Sequence, residues 1–462
     1  MSVVTTTNPA TGEVLATYAA HDAAGVEAVL AQTAAAADAW AAVLLTDRLA
    51  LLARVGELLT ERRETYAALV TAEVGKPLAE SRAEIDKCAW NCAVVADRAP
   101  VWLADQPLDS AASAAYLTYE PLGVILAVMP WNYPFWQVLR FACAALASGN
   151  AALLKHAPDT TGSALAIEEL FAQAAVELGA PAGIFRALVL TAEQVPEVVP
   201  GVIADPRIAA VTLTGSERAG SAVAAAAGQA LKKTVLELGG SDPFVVLADA
   251  DVPAAAAAAV RSRFGNNGQS CVAAKRFIVV EPVAEAFVDA FVAGVGALTV
   301  GDPTSPGTTT GPMVRADLRA GLLAQVDASV AEGAELVIGG HAIDAPGYFV
   351  EPTVLDHVTP GMTAFTQETF GPVAAVVRAR DDEHAVALAN DTAYGLAASV
   401  WGEAAHALAV GRRISSGALF VNAPVASDPR LPFGGIRRSG YGRELSAEGL
   451  REFTNARTVV LA

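Results

Sequence analysis

From Gly123 onward, short apolar runs alternate with helical periods in a way that few folds accommodate. GVILAVM is followed by a helix from Phe135, NAALLKH by a helix from Gly162, IFRALV by a helix from Val195, AAVTL by a helix from Glu217, and TVLEL closes the series. Strands that alternate with helices, at roughly 25 to 30 residues per unit, form βαβ crossovers and a parallel sheet with helices on both faces. Such a doubly wound sheet binds nucleotides at the carboxyl ends of its strands. After Gly239-Gly240 the alternation resumes, with helices over 252–264, 284–298 and 317–332, the strand RFIVV, and strands near 335, 373, 396 and 418. The reading is two α/β domains, the second from 239 to about 430. The first hundred residues carry two long helical patterns, one of them set by Leu49, Leu52, Val55, Leu58 and Leu59. The stretch 112–122 and the tail from 445 read as outlying β-ribbon without helices of their own, and uncovered edge strands of that kind pair with neighbouring subunits.

Charge and composition exclude several partners. The chain of 462 residues carries 31 basic and 49 acidic groups, a formal balance of −18, which repels nucleic acid and anionic lipid alike. No apolar run reaches the roughly 18 residues a membrane span needs. The start, MSVVTTTNPATGEV, lacks the basic and apolar regions of a secretory signal, so the expected location is the cytoplasm. Four cysteines, Cys88, Cys92, Cys143 and Cys271, are too few for a disulfide scaffold. Cys88 and Cys92 stand four apart on a helix without a second ligand pair, so they read as small buried residues rather than a metal site.

Chemistry is carried by a few short stretches. In FGNNGQSCVA, Cys271 follows a glycine- and amide-rich bend at Gly265 and Gly268 that suits either a buried cysteine beside a polar turn or an exposed nucleophile with backbone amides near it. PWNYP, directly after the first strand, holds Asn132 in a loop stiffened by two prolines, where it is either a cap or an amide donor to an oxyanion. Glu237 ends a half-buried strand in LELGG; a carboxylate there is a general base or half of a structural ion pair. The dinucleotide fingerprint G-x-G-x-x-G is absent. Gly215 and Ser216 nevertheless open a helix after AAVTL, where amides can hold a pyrophosphate, and Lys155 ends NAALLKH as either a ribose ligand or a surface group.

Taken in order, PWNYP, LLKHAP, TLTGSERAG, LELGG, NNGQSC, ETFGP and PFGGIRRSGYGREL resemble the NAD(P)-dependent aldehyde dehydrogenase superfamily over essentially the whole chain. PWNYPFWQVLRFA, KHAP and ELGGSDPF are most similar to the bacterial succinate-semialdehyde dehydrogenases. The resemblance implies the aldehyde dehydrogenase fold: an NAD(P)-binding domain over 1–111 and 123–238, a catalytic domain over 239–430, and an oligomerisation ribbon from 112–122 and 445–462. It implies that Cys271 attacks the aldehyde, that Asn132 and the Cys271 amide hold the oxyanion, and that Glu237 activates the hydrolytic water. For the cofactor it implies Lys155 at the adenosine ribose, Gly215 and Ser216 at the pyrophosphate, Glu368 at the nicotinamide ribose, and Phe370 near the ring, with Trp131 a further cofactor residue.

One departure concerns the cofactor. Where many NAD-preferring relatives carry a glutamate, this chain has Pro158, so a 2′-phosphate meets less repulsion; His156 is placed to assist it, while Asp159 argues against it. NADP is favoured and NAD also accepted. No metal is implied. The expected substrate is a small aldehyde bearing an acid, with Arg140 as the carboxylate anchor or as a salt-bridge partner, Ser270 and Ser427 as further donors, and Trp136 and Phe433 as apolar walls. Another small aliphatic or aromatic aldehyde is the alternative, and a catalytically silent protein of this fold a more distant one. Assembly into a homodimer or homotetramer is implied through the ribbon.

Overall fold

The computed structural model describes residues 2–462 and holds two parallel-rich sheets that meet at the chemistry-bearing loops. The first is six-stranded. Val124–Met129 and Ile208–Thr214 lie at its centre, Ala151–His156 and Phe185–Ala187 on one side, Lys233–Glu237 on the other, all parallel. Ala151–His156 is buried along its whole length, as a strand covered by helices on both faces must be. The second sheet has seven strands, with Asp242–Val246 between Ala274–Val280 and Ala397–Trp401. The doubly wound α/β reading therefore holds for both halves.

Several details differ from the sequence expectation. Four helices, not two, precede the first sheet: Ala23–Ala41, Leu45–Glu61, Arg63–Val74 and Leu78–Trp102. The last two were hidden because their buried faces include Glu73, Ser81, Glu84 and Asn91, which blur the apolar period. Asp242–Val246 and Thr353–Asp356 are strands that the alternation did not reveal. Gly440–Tyr441 returns to the first sheet, antiparallel to Leu236–Glu237, and the helix Ser446–Arg451 packs on that domain. The ribbon is correspondingly shorter than 445–462: Thr454–Leu461 pairs along all of Ala114–Pro121, with Gln106–Pro107 on the far side. An antiparallel hairpin, Val3–Thr7 with Val14–Ala19, opens the chain. No helix of the described residues is long and apolar enough to cross a membrane.

Cys88, Cys92 and Cys143 are fully buried, with the Cys92 and Cys143 sulfurs 3.5 Å apart. They fill the seam between Leu78–Trp102 and the helix Trp136–Ala147, which follows the loop carrying Asn132.

Candidate active site

Cys271 lies where two cavities meet. One, of about 300 Å³, is lined by Lys87, Trp136, Arg140, Ser270, Ser427 and Phe433, and the other, of about 460 Å³, by Trp131, Asn132, Gly215, Ser216, Glu368 and Phe370. The thiol is the only side-chain nucleophile shared by both walls. The sulfur is presented by backbone strain. Asn266, Asn267 and Gly268 all adopt left-handed conformations, at φ 52°, 55° and 72°. Each non-glycine residue there costs about 1–2 kcal/mol. Side-chain bonds offset the cost: Asn267 donates to the carbonyls of Gly75 and Pro312 and accepts from the Gly311 amide, while Asn266 donates to the carbonyls of Asn132 and Gln269. The bend therefore resides in Asn266, Asn267 and Gly268; Gly265, at φ −56°, is ordinary.

Asn132 is held rigidly. Its amide donates to the Gln269 carbonyl at 3.0 Å and its oxygen accepts from Gln137 at 3.1 Å, which leaves one N–H unspent on the side of the cofactor cleft. The loop itself is anchored by Glu84, whose carboxylate accepts from the Phe135 and Trp136 amides, both at 2.9 Å, and pairs with Lys76 at 2.5 Å. Burial pushes the Cys271 thiol up to about 11, opposed by Lys275 and Arg140. Lys275, fully buried, donates to the carbonyls of Ser270, Cys271 and Ala273 and lies 3.3 Å from Glu368. Few of these thiols are therefore ionised at neutral pH.

Glu237 is 2% exposed, and neither of its carboxylate oxygens has a hydrogen-bond partner among the described residues. Burial and then the neighbouring Glu444 hold its carboxyl well above the ordinary range, with Arg140 and Arg443 opposing. Its side chain packs on Gly434, outside the walls of both cavities. The carboxyl thus stands without a hydrogen-bonding or ion-pair partner among the described residues, in surroundings that favour its protonated form.

Arg140 is 4% exposed and ion-paired through Nε with Glu444, while Nη2 donates to Thr214 at 3.3 Å. Its guanidinium lies over Phe433, 4.9 Å from the ring centre. The salt-bridge alternative is thus the one observed: Glu444 lies against Arg140 Nε, while Arg140 also lines the smaller cavity. His156 departs from expectation. Nδ1 accepts from the Ala157 amide, so Nε2 is the donor, to the Pro134 carbonyl at 3.0 Å; burial lowers the ring to about 4. With both nitrogens spent and the ring neutral, it has nothing to offer a phosphate.

Lys155 is buried at the end of its strand, lowered to about 8 by burial and eased by Asp159. Pro158 opens the turn Pro158–Thr160. The Asp159 carboxylate is paired with Arg315 at 3.0 Å, so it repels an incoming phosphate less than its sequence position suggests. Trp131 and Phe370 meet edge to face, 5.9 Å between centres. Ser216 caps the helix Glu217–Gln229. A Cβ on Gly239 would collide with the Glu368 carboxylate, and Glu368 accepts from the Gly240 amide. A dinucleotide fits the cleft itself, which lies at the carboxyl ends of parallel strands and holds a helix N-terminus and two aromatic rings, while Lys155, His156 and Pro158 lie outside its lining.

The chain matches the aldehyde dehydrogenase family over residues 2–459. It is a member of that family. A probable succinate-semialdehyde dehydrogenase [NADP(+)] of Synechocystis is 46% identical to this aldehyde dehydrogenase, covering 99% of the chain and 100% of the relative. Succinate semialdehyde dehydrogenase [NAD(P)+] Sad of Escherichia coli K12 is also 46% identical, over 98% of the chain and 96% of its own length. Among solved structures, the succinic semialdehyde dehydrogenase of Streptococcus pyogenes in complex with NADP+ superposes with a TM-score of 0.95 at 39% identity, covering 99% of both chains.

Lys87, Glu84, Gln137, Lys275 and Glu444 escaped the sequence reading. One signal was available: Glu80, Glu84 and Lys87 stand at i, i+4 and i+7 on one helix, the spacing of a core-facing stripe, with charges where apolar residues belong.

Proposed function

We propose that this aldehyde dehydrogenase oxidises succinic semialdehyde to succinate, with NADP preferred and NAD accepted. The observation that carries the reading is the position of Cys271 at the junction of the cofactor cleft and a second cavity whose lining includes Lys87 and Ser427. The relatives named above, at 46% identity over nearly their whole length, carry the same activity in their names.

In this reading Glu237 swings from its place beside Gly434 and takes the Cys271 proton. The thiolate forms a bond to the aldehyde carbon, and the carbonyl electrons move to oxygen. The free N–H of Asn132 and the Cys271 amide hold the resulting alkoxide. The chemistry the oxidised nicotinamide supplies when bound is that of a hydride acceptor. Collapse of the alkoxide expels the hydride from carbon and leaves a thioester on Cys271. Glu237, having passed the first proton to solvent, then removes a proton from water, whose oxygen adds to the thioester carbon; the C–S bond breaks, the acid is released, and the proton held by Glu237 returns to sulfur to restore the thiol. Glu368, Trp131 and Phe370 orient the nicotinamide end, and Lys155, Gly215 and Ser216 the remainder. The Pro158 turn and the Arg315–Asp159 pair favour the 2′-phosphate.

Assembly into a homodimer or homotetramer belongs to the same reading. It is supported by the outer edge of Thr454–Leu461, where Val460 and Leu461 are 58% and 52% exposed. Light scattering of the purified protein decides between these states and a monomer.

The deciding experiment compares initial rates of reduced-nicotinamide formation with succinic semialdehyde, propanal and benzaldehyde, each with NADP and NAD. A kcat/KM at least ten times higher for succinic semialdehyde, about 1.4 kcal/mol, is expected. A flat profile, or preference for benzaldehyde, replaces this substrate with a neutral one. Loss of all turnover in Cys271→Ser, with cofactor binding intact, is the companion control.

A further inference from the structure

We propose that Lys87, together with Ser427, forms the anion seat that selects aldehydes bearing a distal carboxylate. The inference rests on the acid-aldehyde reading above and assigns the charge selectivity of that pocket to Lys87. With Arg140 held against Glu444, the cavity leading to Cys271 offers a second cation that is not tied to a carboxylate. Lys87 lines that cavity, and no carboxylate lies within 4 Å of its ammonium among the described residues.

Its surroundings hold it in place without quenching it. The ammonium donates to Ser427 Oγ at 2.8 Å and sits 4.5 Å from the centre of the Trp136 ring. Because Ser427 Oγ accepts that bond, its own O–H is left to donate, so adjacent N–H and O–H donors both line the pocket. A carboxylate can take both bonds at once, and each is charge-assisted. A neutral aldehyde of equal length leaves the desolvated pair unanswered.

The charged groups facing Lys87 are accounted for. Glu84, on the same helix, is committed to Lys76 and to the Phe135 and Trp136 amides. Glu80 accepts from the Asn266 amide. Asp428, in the loop carrying Ser427, is paired with Arg430. Arg140, from the helix Trp136–Ala147, adds repulsion, and the thiols of Cys88 and Cys271 and the Tyr133 hydroxyl complete the set. Burial, then Arg140, lowers the ammonium to about 8, against weaker opposing pulls from Cys88, Asp428 and Glu84. The seat is therefore charged at pH 7 and discharges as pH rises through about 8.

The test measures kcat/KM of the intact enzyme for succinic semialdehyde and for butanal, which matches it in chain length but lacks the carboxylate, from pH 7 to 9.5. In Lys87→Met the ratio of the two is expected to fall tenfold or more at pH 7, through KM for the acid. Lys87→Arg is expected to restore most of the ratio and to hold it at pH 9.5, where the wild-type ratio declines. Wild-type selectivity kept within twofold in Lys87→Met, or a wild-type ratio flat across the pH range, overturns the assignment while leaving acid-aldehyde oxidation in place. A wild-type enzyme that does not prefer succinic semialdehyde over butanal at pH 7 overturns both. Should Lys87→Met fail to fold, Ser427→Ala and the wild-type pH profile decide the same question: a lowered ratio in the first and a decline with pH in the second support the seat, and an unchanged ratio in both overturns it.

Discussion

Arg140 and Glu444 form a buried ion pair, 4% and 3% exposed, between the helix that follows the Asn132 loop and the strand-like segment behind Glu237. Removing one member leaves the other charged in a dry site. Arg140→Met strands Glu444 beside Glu237, at an expected cost of about 3–5 kcal/mol in urea unfolding. Its kcat/KM falls by similar factors for succinic semialdehyde and butanal, which separates it from Lys87→Met.

Glu237 links activity and stability to pH in opposite directions. Its folded-state pKa is raised, first by burial and then by Glu444, so the folded protein binds this proton more tightly than the unfolded chain. Stability from the group is complete below the ordinary carboxylate value and is lost as pH rises through the raised one. Glu237→Gln removes that penalty: its Tm exceeds the wild-type value at pH 8, and the gap closes toward pH 5. Turnover shows the reverse sense. Wild-type thioester hydrolysis declines as pH falls through the raised pKa. In Glu237→Gln, which lacks the base for both the thiol proton and the hydrolytic water, rapid mixing gives no burst of reduced nicotinamide, and the steady rate is lower by about 10²–10⁴-fold.

Gly268 admits no side chain. At φ +72°, a Cβ would overlap the carbonyl carbon and oxygen of Gly371. Gly268→Ala is expected to cost about 1–2 kcal/mol from the left-handed backbone alone and about 1–3 more from the overlap. Because the same turn aims Cys271, iodoacetamide labelling of the thiol slows or speeds together with the fall in Tm, whereas a neutral surface substitution moves neither.

Arg315 is the expected arbiter of the cofactor. It holds the Asp159 carboxylate at 3.0 Å and lines the cleft. Arg315→Ala frees that carboxylate next to the Pro158 turn, and the ratio of NADP to NAD affinity is expected to fall about tenfold, or about 1.4 kcal/mol. Fluorescence titration with the reduced forms of each cofactor measures it directly.

The alternation of strands and helices, and with it the doubly wound architecture of both halves, was legible in the sequence because each strand's burial is written locally in its own apolar run. The stretches around Asn132, Glu237 and Cys271 stood out for a related reason: the glycine, proline and asparagine that shape each of these short turns are local in the sequence. Partnership was not legible. Lys87 meets Ser427 across 340 residues of sequence, and Arg140 could be an anchor or a salt bridge until Glu444 was found against it. His156 read as a phosphate ligand until its two nitrogens were seen to be spent on Pro134 and Ala157. The sequence by itself determined which chemical groups this protein carries and the framework they hang on. Only the tertiary structure decided which charges are neutralised and which remain available, because a buried charge is defined by the neighbour that shares its desolvated space, and chain closure supplies that neighbour from anywhere in the sequence.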